Sequence, residues 1–216
     1  MCTYSISIKH IIFIILIWVY PDRIIAQELN VKQNYGGVLS VGGRSVISTF
    51  NNGVWADIGY GTGGQFMLQF SNRVNTAWFA DYITGTIGNF GHRTDGHIGW
   101  SVMYYLVPSS AEKLPRWQPY ILAGHCFDYT NLKENANPSN YAERWSSAVQ
   151  AGFGTHYNIT QRFDVFLQAQ YMIHLGNDID ADDKNGVVTF TKKDGVNLEG
   201  HILITLGLNY KLADLW

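Results

Sequence analysis

The 216-residue sequence has little cysteine, no dominant charge and no long apolar run. Its two cysteines, Cys2 and Cys126, are too few for a disulfide framework or a cysteine metal cluster. The longest apolar run, Ile11–Tyr20, is shorter than the roughly 20 residues that a membrane-spanning helix requires. Fifteen Lys and Arg stand against 17 Asp and Glu, a net charge of −2. This balance argues against nucleic acid as a partner, because nucleic-acid-binding surfaces are strongly basic.

The amino-terminal segment has the organisation of a secretory signal peptide. Lys9 and His10 precede the apolar run, and Ala26 offers a small residue for cleavage. A basic start, an apolar run of about ten residues and a small residue near the cleavage point are typical of secreted precursors. A retained N-terminal anchor is the alternative. The predicted organisation is a signal peptide at 1–26, a short segment at 27–35 and a single barrel domain at 36–216.

Alternation of apolar and polar residues dominates the rest of the chain. From His201 to Leu212, every second residue is apolar and most of the others are polar. Successive side chains of a strand point to opposite faces, so this stretch predicts a strand with one apolar face. It is longer than the five or six residues usual in globular proteins. Seven other stretches show the pattern with varying clarity: 36–49, 58–70, 76–88, 97–106, 118–130, 147–159 and 163–175.

The connections between these stretches also follow a pattern. SNRVN (71–75) and TQR (160–162) are short, and VPSSAEKLPRW is an exception among them. The other set is longer or more polar: STFNNGVWAD, NFGHRTDG, KENANPSNYAERW and NDIDADDKNGVVTFTKKDGVN. We therefore predict an all-β fold, an eight-stranded antiparallel up-and-down barrel with long loops at one end.

The apolar faces of the predicted strands indicate that this barrel spans a membrane. The opposite faces, glycine-rich and polar, are too hydrophilic to form the core of a water-soluble protein. A bilayer requires lipid-facing apolar residues, a polar interior and a closed sheet, with strands of about 9–11 residues. We predict a transmembrane β-barrel in a bacterial outer membrane, with aromatic residues near the strand ends. The predicted lipid-facing residues of the last strand are Ile202, Ile204, Leu206, Leu208 and Tyr210.

Three segments resemble the small outer-membrane barrels of the OmpA, OmpX and OmpW type. WQPYILAGHCFDY is similar to their aromatic-x-Pro-Tyr-x-x-x-Gly strand, and AGFGTHYNITQRFDVFLQAQY to the hairpin that follows. LGLNYKLADLW resembles their closing strand, which ends in an aromatic residue, here Trp216; Asp214 departs from the pattern. The overall style is similar to outer-membrane barrels of Bacteroidota. The resemblance implies the fold, an outer-membrane location and long loops that face the exterior.

Alternation also predicts which side chains enter the lumen. An eight-stranded barrel has an interior just wide enough for side chains to fill. We expect a plug of hydrogen-bonded polar residues, with a water or proton path as the alternative. The predicted lumen network consists of Arg44, Gln65, Gln69, His97, Gln150, His156, Gln168, Gln170, His174 and His201, with Asp164 and Lys211 on the same face.

Two groups of residues raise the question of a metal ion. Four inward histidines would bind a transition metal if three met at one height. However, His97 and His201 begin their predicted strands, whereas His156 and His174 lie toward the far ends of theirs.

The loop NDIDADDKNG offers carboxylates at alternate positions, and calcium prefers such oxygen ligands. The calcium-type ligands would be Asp178, Asp180 and Asp182, and a solvated acidic loop is the alternative. No other cofactor is predicted.

The predicted function is that of a non-enzymatic structural or interaction component of the envelope, and a subunit role in a larger assembly is one form of this function. Outer-membrane lipid, lipopolysaccharide and other envelope proteins are the expected partners. A secreted lipocalin-like carrier is one alternative, and it would need an apolar interior. A lipid-modifying barrel enzyme is the other, and no Gly-x-Ser-x-Gly motif supports it. Its serine, histidine and carboxylate would come from Ser146 or Ser147, His125 or His156, and Asp128 or Glu143.

Overall fold

A computed structural model describes residues 36–50, 58–109, 114–193 and 200–216. The predicted signal peptide and the segment 27–35 lie outside these residues. Ten strands follow one another within these described ranges. They are β1 (Val38–Phe50), β2 (Ile58–Gln69), β3 (Val74–Ile87), β4 (Gly91–Tyr105), β5 (Trp117–Glu134), β6 (Tyr141–Asn158), β7 (Phe163–His174), β8 (Asp178–Lys184), β9 (Val187–Lys193) and β10 (Gly200–Asp214).

Eight of the strands form a closed antiparallel barrel in the order β1-β10-β7-β6-β5-β4-β3-β2. The last strand closes on the first, with Val38 opposite Asp214 and Phe50 opposite His201. All neighbouring strands of the barrel are antiparallel, as in an up-and-down barrel. The predicted fold class is confirmed.

The other two strands, β8 and β9, pair as a hairpin between β7 and β10. Asn185 and Gly186 form its turn with φ values of 57° and 81°, the left-handed conformation that the commonest two-residue hairpin turn requires. The sequence predicted only a loop here. These two strands are short and mostly polar, so the apolar alternation that reveals the barrel strands does not mark them.

The barrel strands extend further than predicted at the end that carries the hairpin, which we call the upper end. β3 and β4 are joined by the three residues 88–90, and β5 and β6 by residues 135–140. The predicted loops NFGHRTDG and KENANPSNYAERW are therefore mostly strand. Both faces of these extensions carry polar residues, so the hydrophobic periodicity stops before the backbone pairing does.

The outer surface of the barrel is apolar. Outward positions carry large exposed side chains such as Ile98 (63% exposed), Phe153 (67%) and Leu206 (54%). A soluble carrier would place such residues inside, so this arrangement is the opposite of what the lipocalin alternative needs. Among the described residues, no helix is long and apolar enough to cross a membrane.

Many of the outward tyrosines and tryptophans lie at two levels near the ends of the barrel. Trp117 and Tyr129 are twelve residues apart on β5. At a rise of about 3.3 Å per residue and a tilt of about 40°, they are roughly 30 Å apart along the barrel axis, which suits the apolar band of a bilayer. The upper level contains Tyr60, Tyr82, Tyr129, Trp145 and Tyr171, and the lower level Tyr104, Trp117, Tyr157, Tyr210 and Trp216.

Candidate functional site in the barrel lumen

Three of the predicted lumen histidines meet in the upper part of the barrel. His97 on β4, His174 on β7 and His201 on β10 are each at most 1% exposed. The ring centroids of His97 and His201 are 5.8 Å apart, and those of His174 and His201 are 4.9 Å apart. The positions of these residues within the predicted strands did not show whether they share a height. Because β7 runs opposite to β4 and β10, its end with His174 lies near His201 at the start of β10 and near His97 in β4.

A buried carboxylate, Asp128 of β5, joins two of these histidines. Its Oδ1 lies 3.1 Å from His97 Nε2, and its Oδ2 lies 3.0 Å from His174 Nδ1. The other ring nitrogen of His174, Nε2, is 3.2 Å from Nδ1 of His201. We call these four residues the histidine–aspartate cluster.

Arginine–aspartate pairs surround the cluster. Arg93 donates from Nε to both carboxylate oxygens of Asp95, at 3.0 and 2.8 Å. Thr130 donates to Asp95 Oδ1 at 2.6 Å. Arg144 donates from Nη1 to Asp178 at 2.8 Å, whereas its Nη2 is 3.7 Å from Asp128. Each of the two arginines therefore has its short contact with a carboxylate other than that of Asp128.

The β8–β9 hairpin packs on the rim above the cluster. Ile179 of β8 is buried against Ile87, Leu132 and Ala142, which end three different barrel strands. Arg144 also donates to the backbone carbonyl of Asn177 at 2.7 Å, which ties the start of the hairpin to β6. The cluster thus lies between this apolar layer and the middle of the lumen.

A chain of hydrogen-bonded side chains crosses the middle of the lumen. Tyr120 donates to Gln168 at 3.1 Å, Gln168 to Gln170 at 2.6 Å, and Gln170 to Gln150 at 2.8 Å. Gln150 in turn donates to Ser101 Oγ at 2.9 Å. Each amide uses both its donor and its acceptor, so these buried groups satisfy one another.

A second chain connects the middle of the lumen to its lower end. The Nε of Arg44 lies 3.0 Å from Asp81, and its Nη1 donates to Gln65 at 3.2 Å. Gln65 donates to Asn209 at 2.8 Å, and Asn209 donates to Asp164 at 2.8 Å.

His156 Nδ1 lies 2.7 Å from the same oxygen of Asp164. Lys211, on the same face, donates to Asn158 at 3.1 Å. His156 therefore belongs to the lower chain and is remote from the other three histidines. Gln69 is half-buried at the lower rim, where it donates to the carbonyl of Ser71 at 3.0 Å.

The lumen also contains apolar layers, which the expectation of a polar plug did not include. One buried cluster brings together Val46, Phe79, Ile83, Cys126, Ala148, Met172 and Leu203, and another Met67, Ala77, Met103, Tyr105, Tyr120 and Leu122. A cavity of about 10 Å³ between Arg44, Tyr120 and His156 is about large enough for a single water molecule. The interior is therefore closely packed at this level.

The predicted lipid-facing residues of β10 all point away from the lumen. Ile202, Ile204, Leu206 and Leu208 are between 41% and 54% exposed, and Tyr210 is half-buried beside the ring of Phe163, at a centroid distance of 4.8 Å.

The carboxylates predicted to bind calcium do not converge. Asp178 is buried against Arg144, whereas Asp180 contacts Lys193 at 2.6 Å and Asp182 contacts Lys184 at 2.7 Å. The Asp182 carboxylate raises the pKa of Lys184, chiefly through a hydrogen bond. These three carboxylates of β8 each contact a different cationic side chain. The segment is a strand of a hairpin and not a loop that wraps around an ion.

The residues of the enzyme alternative do not assemble into a triad. His125, Glu143 and Ser147 point outward, and Glu143 accepts a 2.8 Å hydrogen bond from Tyr129. Ser146 points inward opposite Asp128, but its hydroxyl donates to the carbonyl of its neighbour Ser147 at 3.0 Å.

Sequence reasoning missed Arg93, Asp95 and Arg144 as lumen residues, and it considered Asp128 only as part of a triad. The first three lie in segments that were predicted to be loops. They nevertheless keep the inward parity of their strands, since Arg93, Asp95 and His97 are two residues apart. Continuing the alternation into the polar flanks would have found them.

No protein-family model matches the sequence, and no curated protein matches it either. Solved structures do match. Neisserial surface protein A aligns with 80% of this chain and 96% of its own, at 14% identity and a TM-score of 0.56. OprG from Pseudomonas aeruginosa aligns with 84% of this chain and 98% of its own, at 16% identity and a TM-score of 0.54. Ail of Yersinia pestis aligns with 82% of this chain and 98% of its own, at 11% identity and a TM-score of 0.50.

These similarities concern the fold. This chain has the fold of the small outer-membrane β-barrels, as the resemblance of its sequence segments implied. An outer-membrane location agrees with that fold and with the apolar exterior between two aromatic levels.

Proposed function

We propose that this chain is an integral outer-membrane barrel whose lumen is closed by its own side chains and whose upper end serves as an interaction surface of the cell envelope. The observation that carries the proposal is the filled interior beneath an apolar exterior. Two chains of polar side chains and two apolar clusters occupy the lumen, and the β8–β9 hairpin packs on its rim.

A closed lumen predicts that the protein does not conduct ions across a membrane. The purified protein, reconstituted into planar bilayers, should add no steady current to that of the lipid alone. The Arg44→Ala variant shows whether the assay can detect a small opening. It removes a buried guanidinium beside the central cavity and should therefore allow small, brief currents. A stable open channel in the parent protein would contradict the closed lumen.

Lipid is the partner that the surface chemistry supports most directly. Three arginines at the lower end each lie beside an aromatic residue of the lower level. They are Arg73 at 5.7 Å from the ring of Tyr104, Arg116 at 5.8 Å from the ring of Tyr157, and Arg162, which donates to the hydroxyl of Tyr210 at 3.3 Å. Guanidinium groups beside interfacial aromatics suit the phosphates of lipid headgroups.

The upper end, with the hairpin, is the proposed outward-facing surface. The orientation can be tested with single cysteines, because Cys126 is fully buried and should not react. We expect Val187→Cys, at the exposed hairpin turn, to react with a membrane-impermeant maleimide on intact cells. Gln161→Cys, in the exposed turn at the lower end, should react only after lysis. The reverse labelling pattern would overturn the orientation and with it the interaction surface.

A role as part of a larger assembly can be tested by chemical cross-linking on cells before gentle detergent extraction. A discrete cross-linked band should form from the hairpin turn and not from the turn at the lower end. Labelling at both positions without any such band would contradict an assembly through the upper end.

A further inference from the structure

An open groove lies on the outer face of the barrel, over strands β6, β7 and β10. Its volume is about 410 Å³, within the range of about 300–1,000 Å³ that is usual for small-molecule pockets. Ala169 of β7 forms the floor of the groove. Phe153 of β6 and Ile204 of β10 lie directly opposite Ala169 in the sheet and form the two walls. The groove exists because a methyl group lies between two large outward side chains.

The groove lies near the middle of the hydrocarbon layer. Phe163, at the start of β7, lies opposite Tyr210 of the lower aromatic level. Ala169 is six residues further along β7. At a rise of about 3.3 Å per residue and a tilt of about 40°, it is roughly 15 Å above that level. Because the hydrocarbon core of a bilayer is about 30 Å thick, the acyl chains of the leaflet at the lower end extend to the depth of the groove.

Strand register shows which part of the lower end lies below the groove. Ala169 pairs with Phe153 of β6, which pairs with Ile121 of β5. Ile121 pairs with Tyr104 of β4, a residue of the lower aromatic level. This row of paired residues therefore descends toward β4, whereas β7 descends in the other direction because the strands are tilted. A line parallel to the barrel axis runs between these two directions and reaches the lower level near Trp117, at the start of β5.

A cationic side chain lies at this position. Arg116 directly precedes Trp117 and is exposed, and its guanidinium lies 5.8 Å from the centroid of the Tyr157 ring. The rings of Trp117 and Tyr157 pack with centroids 4.7 Å apart. The carbonyl of Arg116 accepts a 2.9 Å hydrogen bond from the backbone N–H of Asn158. These contacts place the guanidinium at the lower aromatic level, below the groove.

The charge of the lower end complements an anionic headgroup. Its arginines are Arg73, Arg116 and Arg162, and among its described residues the only side-chain carboxylate that is not buried is that of Asp214. A guanidinium binds phosphate oxygens through paired N–H donors. A recess in an apolar surface also favours a chain that fills it, because an unfilled gap loses dispersion contacts on every side. Phosphate and acyl chain are the two parts of a phospholipid.

We propose that Arg116 and this groove form a binding site for one anionic phospholipid of the leaflet at the lower end. The headgroup phosphate binds the guanidinium of Arg116, and one acyl chain lies in the groove over Ala169, between Phe153 and Ile204. This inference deepens the proposed partnership with lipid and rests on the proposed membrane-spanning position of the barrel.

The acyl-chain part of the site is tested with two alanine variants. The full chain is folded in detergent, incubated with dipalmitoyl phosphatidylglycerol, freed of excess lipid and examined by native mass spectrometry. The parent should retain one lipid per chain. Ala169→Phe fills the groove and should lose this lipid. Ala151→Phe is the matched control, because Ala151 is an outward alanine of β6 that lies opposite Tyr171 and does not line the groove; it should bind as the parent does.

The headgroup part is tested with two arginine variants. Arg116→Gln should weaken binding of the lipid about fivefold, the effect expected for one arginine near a membrane surface. Arg162→Gln should leave binding unchanged, because Arg162 contacts Tyr210 on β10, three strands away from β5. A phosphatidylglycerol with short acyl chains does not extend to the groove and should bind the parent and Ala169→Phe equally.

The site is overturned if Ala169→Phe retains as much lipid as the parent and Ala151→Phe, and the role of Arg116 is overturned if Arg116→Gln and Arg162→Gln bind equally. A parent that is dimeric in detergent and becomes monomeric only in Ala169→Phe would also overturn it, since the groove would then bind a second copy of this chain. The heat-dependent shift of the folded band measures barrel formation separately in each sample. A parent that inserts into vesicles without retaining lipid would therefore contradict this site alone, whereas a parent that does not insert would contradict the proposed function as well.

Discussion

Replacing Leu206 with arginine tests whether the exterior of the barrel contacts lipid. Leu206 lies midway along β10, opposite Ser45 of β1 and Leu167 of β7. Its row of outward residues runs from Ile202 at the upper aromatic level to Tyr210 at the lower one. The side chain should therefore lie near the middle of the hydrocarbon layer.

The expected cost follows from this depth. An arginine on the lipid face costs about 2–4 kcal/mol at the midplane and about 0–1 kcal/mol near an interface. Because about 1.4 kcal/mol corresponds to a factor of ten, Leu206→Arg should raise the unfolding equilibrium constant by roughly 30- to 1000-fold. Leu215→Arg is a suitable control, since Leu215 is equally exposed (53% against 54%) but lies beyond the end of β10.

The measurement is reversible unfolding in lipid vesicles with guanidinium chloride, followed by tryptophan fluorescence and by the heat-dependent shift of the folded band on a gel. The parent and both variants are compared under identical conditions. If the two arginine variants are destabilised equally and by less than about 1 kcal/mol, the midplane position of Leu206 is wrong, and with it the membrane-spanning assignment.

Three further substitutions test the interior. Arg44→Met leaves the buried carboxylate of Asp81 unpaired and should lower the free energy of unfolding by about 3–5 kcal/mol. Adding Asp81→Leu to the same chain should restore most of this stability. A double variant as unstable as Arg44→Met alone would contradict the pairing. Gln170→Leu leaves an amide donor of Gln168 and an amide acceptor of Gln150 unsatisfied, and each should lower the free energy of unfolding by about 1–3 kcal/mol. An unchanged unfolding midpoint would show that the chain of amides does not form. Arg144→Met removes the contact with Asp178 and should speed trypsin cleavage within the β8–β9 hairpin while the barrel itself stays resistant; equal cleavage rates would mean that other contacts hold the hairpin.

The barrel could be predicted because a bilayer imposes one simple rule on every spanning strand. Outward residues must be apolar, and inward residues of a narrow barrel are polar or small. The stretch from His201 to Leu212 follows this rule except at Leu203, which points inward and joins an apolar cluster of the lumen, and β10 covers the stretch completely. Strands β4 and β6, which begin at Gly91 and Tyr141, depart from this rule above the upper aromatic level. Their first residues were therefore predicted as loops.

The candidate site could be predicted only in part. Parity assigned His97, His174 and His201 to the inward face, where the structure buries them, but it does not specify which inward residues share a height. The contact of Asp128 with two of these histidines depends on the register between β4 and β5, where His97 lies opposite Asp128. It also depends on the opposite direction of β7, which brings His174 to the same level.

The sequence by itself determined the fold class, the strand number of the barrel and the two faces of its strands, because these depend on local alternation and on the solvent that each face contacts. Only the tertiary structure decided how the lumen is divided into layers, where the β8–β9 hairpin packs and which charged side chains pair with one another. These features arise from contacts between residues far apart in the chain. Such contacts depend on strand register and closure, which an alternating pattern repeated in every strand does not encode.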